Sequence, residues 1–176
     1  MSIQRLSALA AGLLILIGSA CEPTADDVTT VILVRHAERA TVDDRDPPLS
    51  AEGEARAEAL ADALADAGVT AIYATPYRRT RDSAAPLARR LGLEIRDTQV
   101  EGGIEAHARE VARRVVGENR GGVVLVVGHS NTVPAIVRAL TGSPIPELSE
   151  DAYGDLFIVQ VPAGGQARLI RARFGR

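Results

Sequence analysis

The sequence predicts an α/β fold, a central sheet with helices on both faces that closes with a β-hairpin. Three observations carry this expectation. Val31-Ile32-Leu33-Val34 and Val123-Val124-Leu125-Val126-Val127 are apolar, β-branched runs, the pattern of strands buried on both faces as in parallel sheets. Ala-rich segments with helical spacing alternate with such runs and stop at a glycine, which takes the left-handed turn that ends many helices. Towards the C-terminus, two apolar stretches flank Pro162-Ala163-Gly164-Gly165, which reads as a hairpin. The order is β-α-β-α-β-α-β-α-β-β, that of an α/β protein.

Each element follows from its residues. Val31 to Val34 forms the first strand and delivers Arg35, His36, Ala37 and Glu38 at its carboxyl end. Arg39 to Leu49, with Pro47-Pro48, is a loop. Ser50 caps a helix over Ala51 to Ala67, its inner stripe read as Ala55, Ala59, Leu60, Ala63, Leu64 and Ala67, with Gly68 beyond it. Val69 to Ala74 is a short strand that Thr75-Pro76 breaks. Tyr77 to Leu91 is a second helix ending at Gly92. Leu93 to Asp97 is a weak strand, Ala106 to Val116 a helix and Val123 to Val127 the second deeply buried strand. Thr132 to Leu140 is a helix that tolerates Pro134 in its first turn. Asp155 to Val161 and Ala167 to Arg173 make the hairpin.

Composition limits the function. The 176 residues, 46% hydrophobic and 24% charged, suit one domain with a sizeable core. A net charge of -3, from Asp+Glu 23 against Lys+Arg 20, gives no general attraction to nucleic acid or to an anionic membrane. Every one of those cations is an arginine. Trp 0, Tyr 3 and Phe 2 leave few platforms for stacking bases.

The first 20 residues read as a signal peptide: Arg5, then an apolar stretch from Leu6 to Ile17, then Gly18-Ser19-Ala20. The apolar stretch is short for a membrane span. The sole cysteine, Cys21, follows that site directly and resembles the acylated cysteine of bacterial lipoproteins, although Gly18 stands where an aliphatic residue is usual. The expectation is an exported protein of the cell envelope or periplasm, lipid-anchored through Cys21, or released after ordinary cleavage. Residues 21–29 are then a tether and residues 30–176 the folded domain.

Two of the three histidines, His36 and His129, end the two most apolar strands, where open α/β sheets keep their sites. The second helix carries Arg78, Arg79 and Arg81 in its first turns. A helix start repels cations, so three arginines there call for an anion among them.

These motifs resemble those of the histidine phosphatase superfamily, the phosphoglycerate mutase-like branch 1. Arg35-His36-Ala37-Glu38 stands for its Arg-His-Gly-Glu and is followed by Leu49-Ser50-x-x-Gly53. Thr75-Pro76-Tyr77-Arg78-Arg79-Thr80 stands for its Ser-Pro-Leu-x-Arg-Ala, and Gly128-His129-Ser130 comes last. The resemblance implies a three-layer α/β/α sandwich with a mostly parallel sheet. It implies that His36 is the nucleophile that becomes transiently phosphorylated, that Arg35 and Arg79 grip the phosphoryl oxygens, and that His129 binds the group opposite His36. Neutral imidazole is nucleophilic near neutral pH, and guanidinium forks match phosphate oxygens without a metal. No cofactor is implied.

The proton donor expected from the resemblance is Glu101, with Glu105 in reserve. Glu38 is read as a partner that fixes the arginine or histidine, and His107 as a solvated helix residue. The expected activity is metal-independent hydrolysis of phosphomonoesters, on small molecules or on proteins. Alternatives are a phosphatase restricted to phosphoprotein or phosphohistidine targets, and a non-catalytic lipoprotein that binds phosphate ligands. Gly-His-Ser lacks the Gly-x-Ser-x-Gly elbow of serine hydrolases, and flanking arginines disfavour a metal at the histidines.

Overall fold

The computed structural model describes residues 28–42 and 45–175. The signal segment, Cys21 and the tether up to residue 27 lie outside them.

The elements are β1 (Val28–Arg35), α1 (Ala51–Leu64), β2 (Val69–Ala74), α2 (Arg78–Leu91), β3 (Ile95–Asp97), α3 (Ile104–Glu118), β4 (Val123–Gly128), α4 (Thr132–Thr141), β5 (Asp155–Pro162) and β6 (Arg168–Arg173). One six-stranded sheet has the order β3-β2-β4-β1-β5-β6. Strands β1 to β4 are mutually parallel, while β5 runs antiparallel to β1 and pairs with β6 as the C-terminal hairpin. The fold is the three-layer α/β sandwich expected.

Alternate residues of the central strands feed two cores, as the two-residue period of a strand requires. Val31 and Leu33 of β1, with Val124 and Val126 of β4, pack under α3 and α4. Ile32 and Val34, with Leu125 and Val127, pack under α1 and α2. All eight are nearly inaccessible, so β1 and β4 form a rigid floor whose carboxyl ends open on one edge.

Three local expectations need correction. The tether expected through Thr29 is shorter, because Val28 and Thr29 already belong to β1 and pair with Pro162 and Val161. Thr29 is buried, and its hydroxyl accepts from the Gly121 amide at 3.1 Å. The inner face of α1 is Gly53, Ala57, Leu60, Ala61 and Leu64, whereas Ala55 and Ala63 are exposed. Alanine occurs on every face of this helix and carries little directional signal; the leucines and Gly53 set the face. His107 of α3 is buried, its Nδ1 2.9 Å from the Gln99 carbonyl oxygen. That carbonyl gives the ring a polar partner that the surrounding sequence does not reveal.

Gly53 explains the Leu-Ser-x-x-Gly spacing. The Ser50 hydroxyl caps α1 by accepting from the Gly53 amide at 3.1 Å, and the Ser50 amide donates to the Glu38 carbonyl at 2.9 Å. A methyl group at position 53 would lie on that same carbonyl oxygen. Helix α1 thus packs backbone to backbone against the segment that leaves β1.

Candidate active site

The parallel pairing of β1 and β4 sets Arg35 opposite Gly128, and the His36 amide continues the ladder by donating to the Gly128 carbonyl at 2.9 Å. The next residue on each strand is a histidine. Their rings therefore stand side by side, centroids 5.4 Å apart and planes inclined at 65°. The position before His129 has to be small. A Cβ at Gly128 would come within 2.7 Å of the Thr132 Oγ1 that receives the His129 amide.

His36 is held in one tautomer. Its Nδ1 lies 2.8 Å from the Ala37 carbonyl oxygen, which can only accept, so Nδ1 carries the proton and Nε2 keeps its lone pair. Burial is the main cause that lowers its pKa from 6.5 to about 4; the Ala37 bond opposes this, and Arg79 and Arg35 add to it. For His129, burial comes first and the charge of His36 second, and its pKa falls to about 3. Both rings are neutral near pH 7, as a nitrogen nucleophile requires.

The first turns of α2 are tied to both histidines. The Ala37 amide donates to Ser83 Oγ at 2.8 Å, and Ser83 donates to the Arg79 carbonyl at 2.6 Å. His129 Nε2 is 2.9 Å from Thr75 Oγ1, and Thr75 Oγ1 is 2.9 Å from Thr80 Oγ1. Thr80 in turn donates to backbone carbonyls of Thr75 and Tyr77. Both threonines are buried. This chain fixes the ring of His129 from below.

Arg35 is 4% exposed. Its Nη1 donates to the Ser149 carbonyl at 2.7 Å, its Nη2 reaches Glu150 Oε2 at 3.3 Å, and its guanidinium lies 4.3 Å from the centre of the Tyr153 ring. Its Nε has no protein partner. Arg79 stacks on Tyr77 at 4.4 Å and lies 3.5 Å from Asp46. Asp46 also accepts from the Arg78 amide, placing a carboxylate where the cationic helix start called for an anion. Arg81 turns away to pair with Asp97.

Arg35, His36, Arg79 and His129 converge on one cavity of about 330 Å³, walled by Tyr77, Val100 and Ile104 among others. Glu101 is exposed and does not line it. Glu105 pairs with Arg138 of α4 in a neighbouring hollow. Glu38 was expected to fix Arg35 or His36; instead its carboxylate grips Arg56 of α1, with Nε at 2.7 and 2.8 Å. Among the described residues no group of three or more His, Cys, Asp or Glu could hold a metal ion. Sequence reasoning missed Glu150 and Tyr153, and it quoted Thr75 and Thr80 in a motif without giving either a role. Glu150 and Tyr153 sit in a loop without pattern.

A family model described as histidine phosphatase superfamily (branch 1) matches residues 31–100. Among solved structures, the chain is similar to mycobacterial glucosyl-3-phosphoglycerate phosphatase, with TM-score 0.65 and 18% identity over 81% of this chain and 97% of that one. It is similar to the protein histidine phosphatase SixA complexed with tungstate, with TM-score 0.65 and 17% identity over 82% of this chain and 96% of that one. A mutant phosphoserine phosphatase from Entamoeba histolytica in complex with phosphoserine gives TM-score 0.61 and 14% identity over 83% and 96%. These likenesses are of fold. No curated protein matches the chain.

Proposed function

We propose that the chain is a histidine phosphatase of the superfamily whose branch 1 model matches residues 31–100, and that it hydrolyses phosphomonoesters through a phosphohistidine on His36 without a metal. The observation that carries this reading is the free Nε2 of His36, set 5.4 Å ring to ring from His129 in a cavity shared with two guanidinium groups. In the proposed first step His36 Nε2 attacks phosphorus and the ester oxygen leaves. Water then takes the phosphoryl group from His36, restoring the imidazole. Arg35, Arg79 and His129 stabilise the charge spread over the equatorial oxygens.

The short segment between β3 and α3 supports a substrate whose phosphate is exposed, on a small molecule or on a protein side chain. Relatives named for a sugar-linked phosphoglycerate, a protein histidine and phosphoserine bracket that range.

The test is turnover of p-nitrophenyl phosphate in the presence of EDTA, with the phosphoenzyme trapped in alkali, where a phosphohistidine survives and acid releases its label. Wild type turns over with chelator present and is labelled once per chain, and His36→Ala abolishes both. Binding of phosphate without turnover or labelling in the wild type would replace the reading with that of a phosphate-binding protein. Export and acylation at Cys21 are proposed on the sequence alone; loss of radiolabelled palmitate from Cys21→Ser is the expected result.

A further inference from the structure

Departure of an alkoxide needs an acid within reach of the ester oxygen. Glu101 and Glu105, on the β3–α3 side, do not line the cavity, and Glu105 is engaged by Arg138. One carboxylate is found among the described residues that line it, and it comes from the loop between α4 and β5: Glu150. Resting on the phosphatase reading above, we propose that Glu150 is the proton donor to the leaving oxygen.

The loop that carries Glu150 is built against the site. The Leu148 amide donates to the Ser130 carbonyl at 3.1 Å, fixing the loop beside the end of β4. One residue later the Ser149 carbonyl receives Arg35 Nη1 at 2.7 Å, and Tyr153 closes the face of the same guanidinium. Between these anchors the Glu150 side chain is 85% exposed and touches Arg35 through one contact of 3.3 Å. A group that must turn towards a departing oxygen and afterwards towards a water needs such freedom. Arg35 keeps the Ser149 bond and the Tyr153 stack when the carboxylate moves.

The proton balance closes with this residue alone. A phosphomonoester that binds as its monoanion takes the Arg35 donor that Glu150 occupies and hands its proton to the released carboxylate. As the bond from His36 Nε2 to phosphorus forms and the ester bond breaks, the Glu150 carboxyl proton passes to the leaving oxygen. The carboxylate then accepts a proton from the water whose oxygen bonds to phosphorus as the nitrogen–phosphorus bond breaks. Inorganic phosphate leaves as its monoanion with the proton that Glu150 has taken from the water, and both side chains return to their starting state.

The experiment is kcat/KM for wild type, Glu150→Gln and Glu101→Gln over a series of phosphates, from p-nitrophenyl through phenyl to alkyl, because kcat/KM reports the step in which the ester oxygen departs. In Glu150→Gln, alkyl phosphates lose about 100-fold while p-nitrophenyl phosphate, whose leaving group needs little help, loses less than about 5-fold. Glu101→Gln shows no such slope. A uniform loss across the series means Glu150 only orients Arg35 and overturns the assignment, as does the slope appearing in Glu101→Gln, or an unchanged Glu150→Gln. Wild type that neither turns over nor becomes labelled sinks the phosphatase reading itself, and this assignment with it.

Discussion

Burial of two neutral imidazoles side by side makes the fold sensitive to mild acid, and the size of the effect follows from the site. An unfolded histidine takes its proton near pH 6.5, whereas folded His36 waits until about pH 4. Between those values the unfolded chain binds a proton that the folded chain refuses, so falling pH favours unfolding. The His36 contribution is complete above about pH 6.5, is lost as pH falls, and levels off below about pH 4. At about 1.4 kcal/mol per pH unit the loss comes to about 3 kcal/mol. His129, lowered to about 3, adds a loss of the same sign that continues down to about pH 3. Urea unfolding monitored by circular dichroism between about pH 7.5 and about pH 4.5 measures it, with His36→Gln as the comparison. Glutamine preserves a donor for the Ala37 carbonyl but does not titrate, so the variant should lose about 3 kcal/mol less than wild type across the window. Equal slopes in the two proteins would refute the idea that burial keeps His36 neutral.

Three further outcomes test the supporting shell. Thr75→Val deprives His129 Nε2 and Thr80 of a shared partner, and kcat should fall about 10-fold, the worth of one buried hydrogen bond, with KM nearly unchanged in steady-state assays. Ser83→Ala removes the link between the Ala37 amide and the Arg79 carbonyl; chemical denaturation should show a loss of about 1–3 kcal/mol from the buried amide left unpaired. Gly53→Ala drives a methyl group into the Glu38 carbonyl, and thermal or urea unfolding should show a cost of about 1–3 kcal/mol or more, whereas Ala55→Gly, on the exposed face, costs only about 1 kcal/mol of helix propensity.

The strands and the four convergent side chains were legible because their signals are local. A run such as Val123 to Val127 admits few readings, and a histidine directly after it has to lie at the strand's end. The second helix was legible in extent, since Gly92 does cap α2 in the left-handed conformation, whereas α1 stops at Leu64, short of the expected Ala67. Facing was less legible. In α1, alanine carries too little hydrophobic contrast to mark the inner stripe, and the deciding contact, Gly53 against Glu38, is one between backbones. Glu38 itself illustrates the limit: its place in the motif gave no hint that Arg56, 18 residues on, would claim it. Glu150 is 115 residues from the arginine it touches, and no local pattern announces a meeting created by the closing of the sheet.

The floor on which the two imidazoles stand is the ordinary ladder of adjacent strands, and its spacing is a constant of polypeptide geometry. Distance between the two rings is therefore inherited from the backbone, independent of the turns that surround them. Grafting a foreign segment in place of residues 98–103 would redraw one wall of the cavity while leaving that separation, and the loop that carries Glu150, untouched. A chain organised in this way can change what it admits without relearning how it would react, which makes it a ready starting point for directed changes of selectivity.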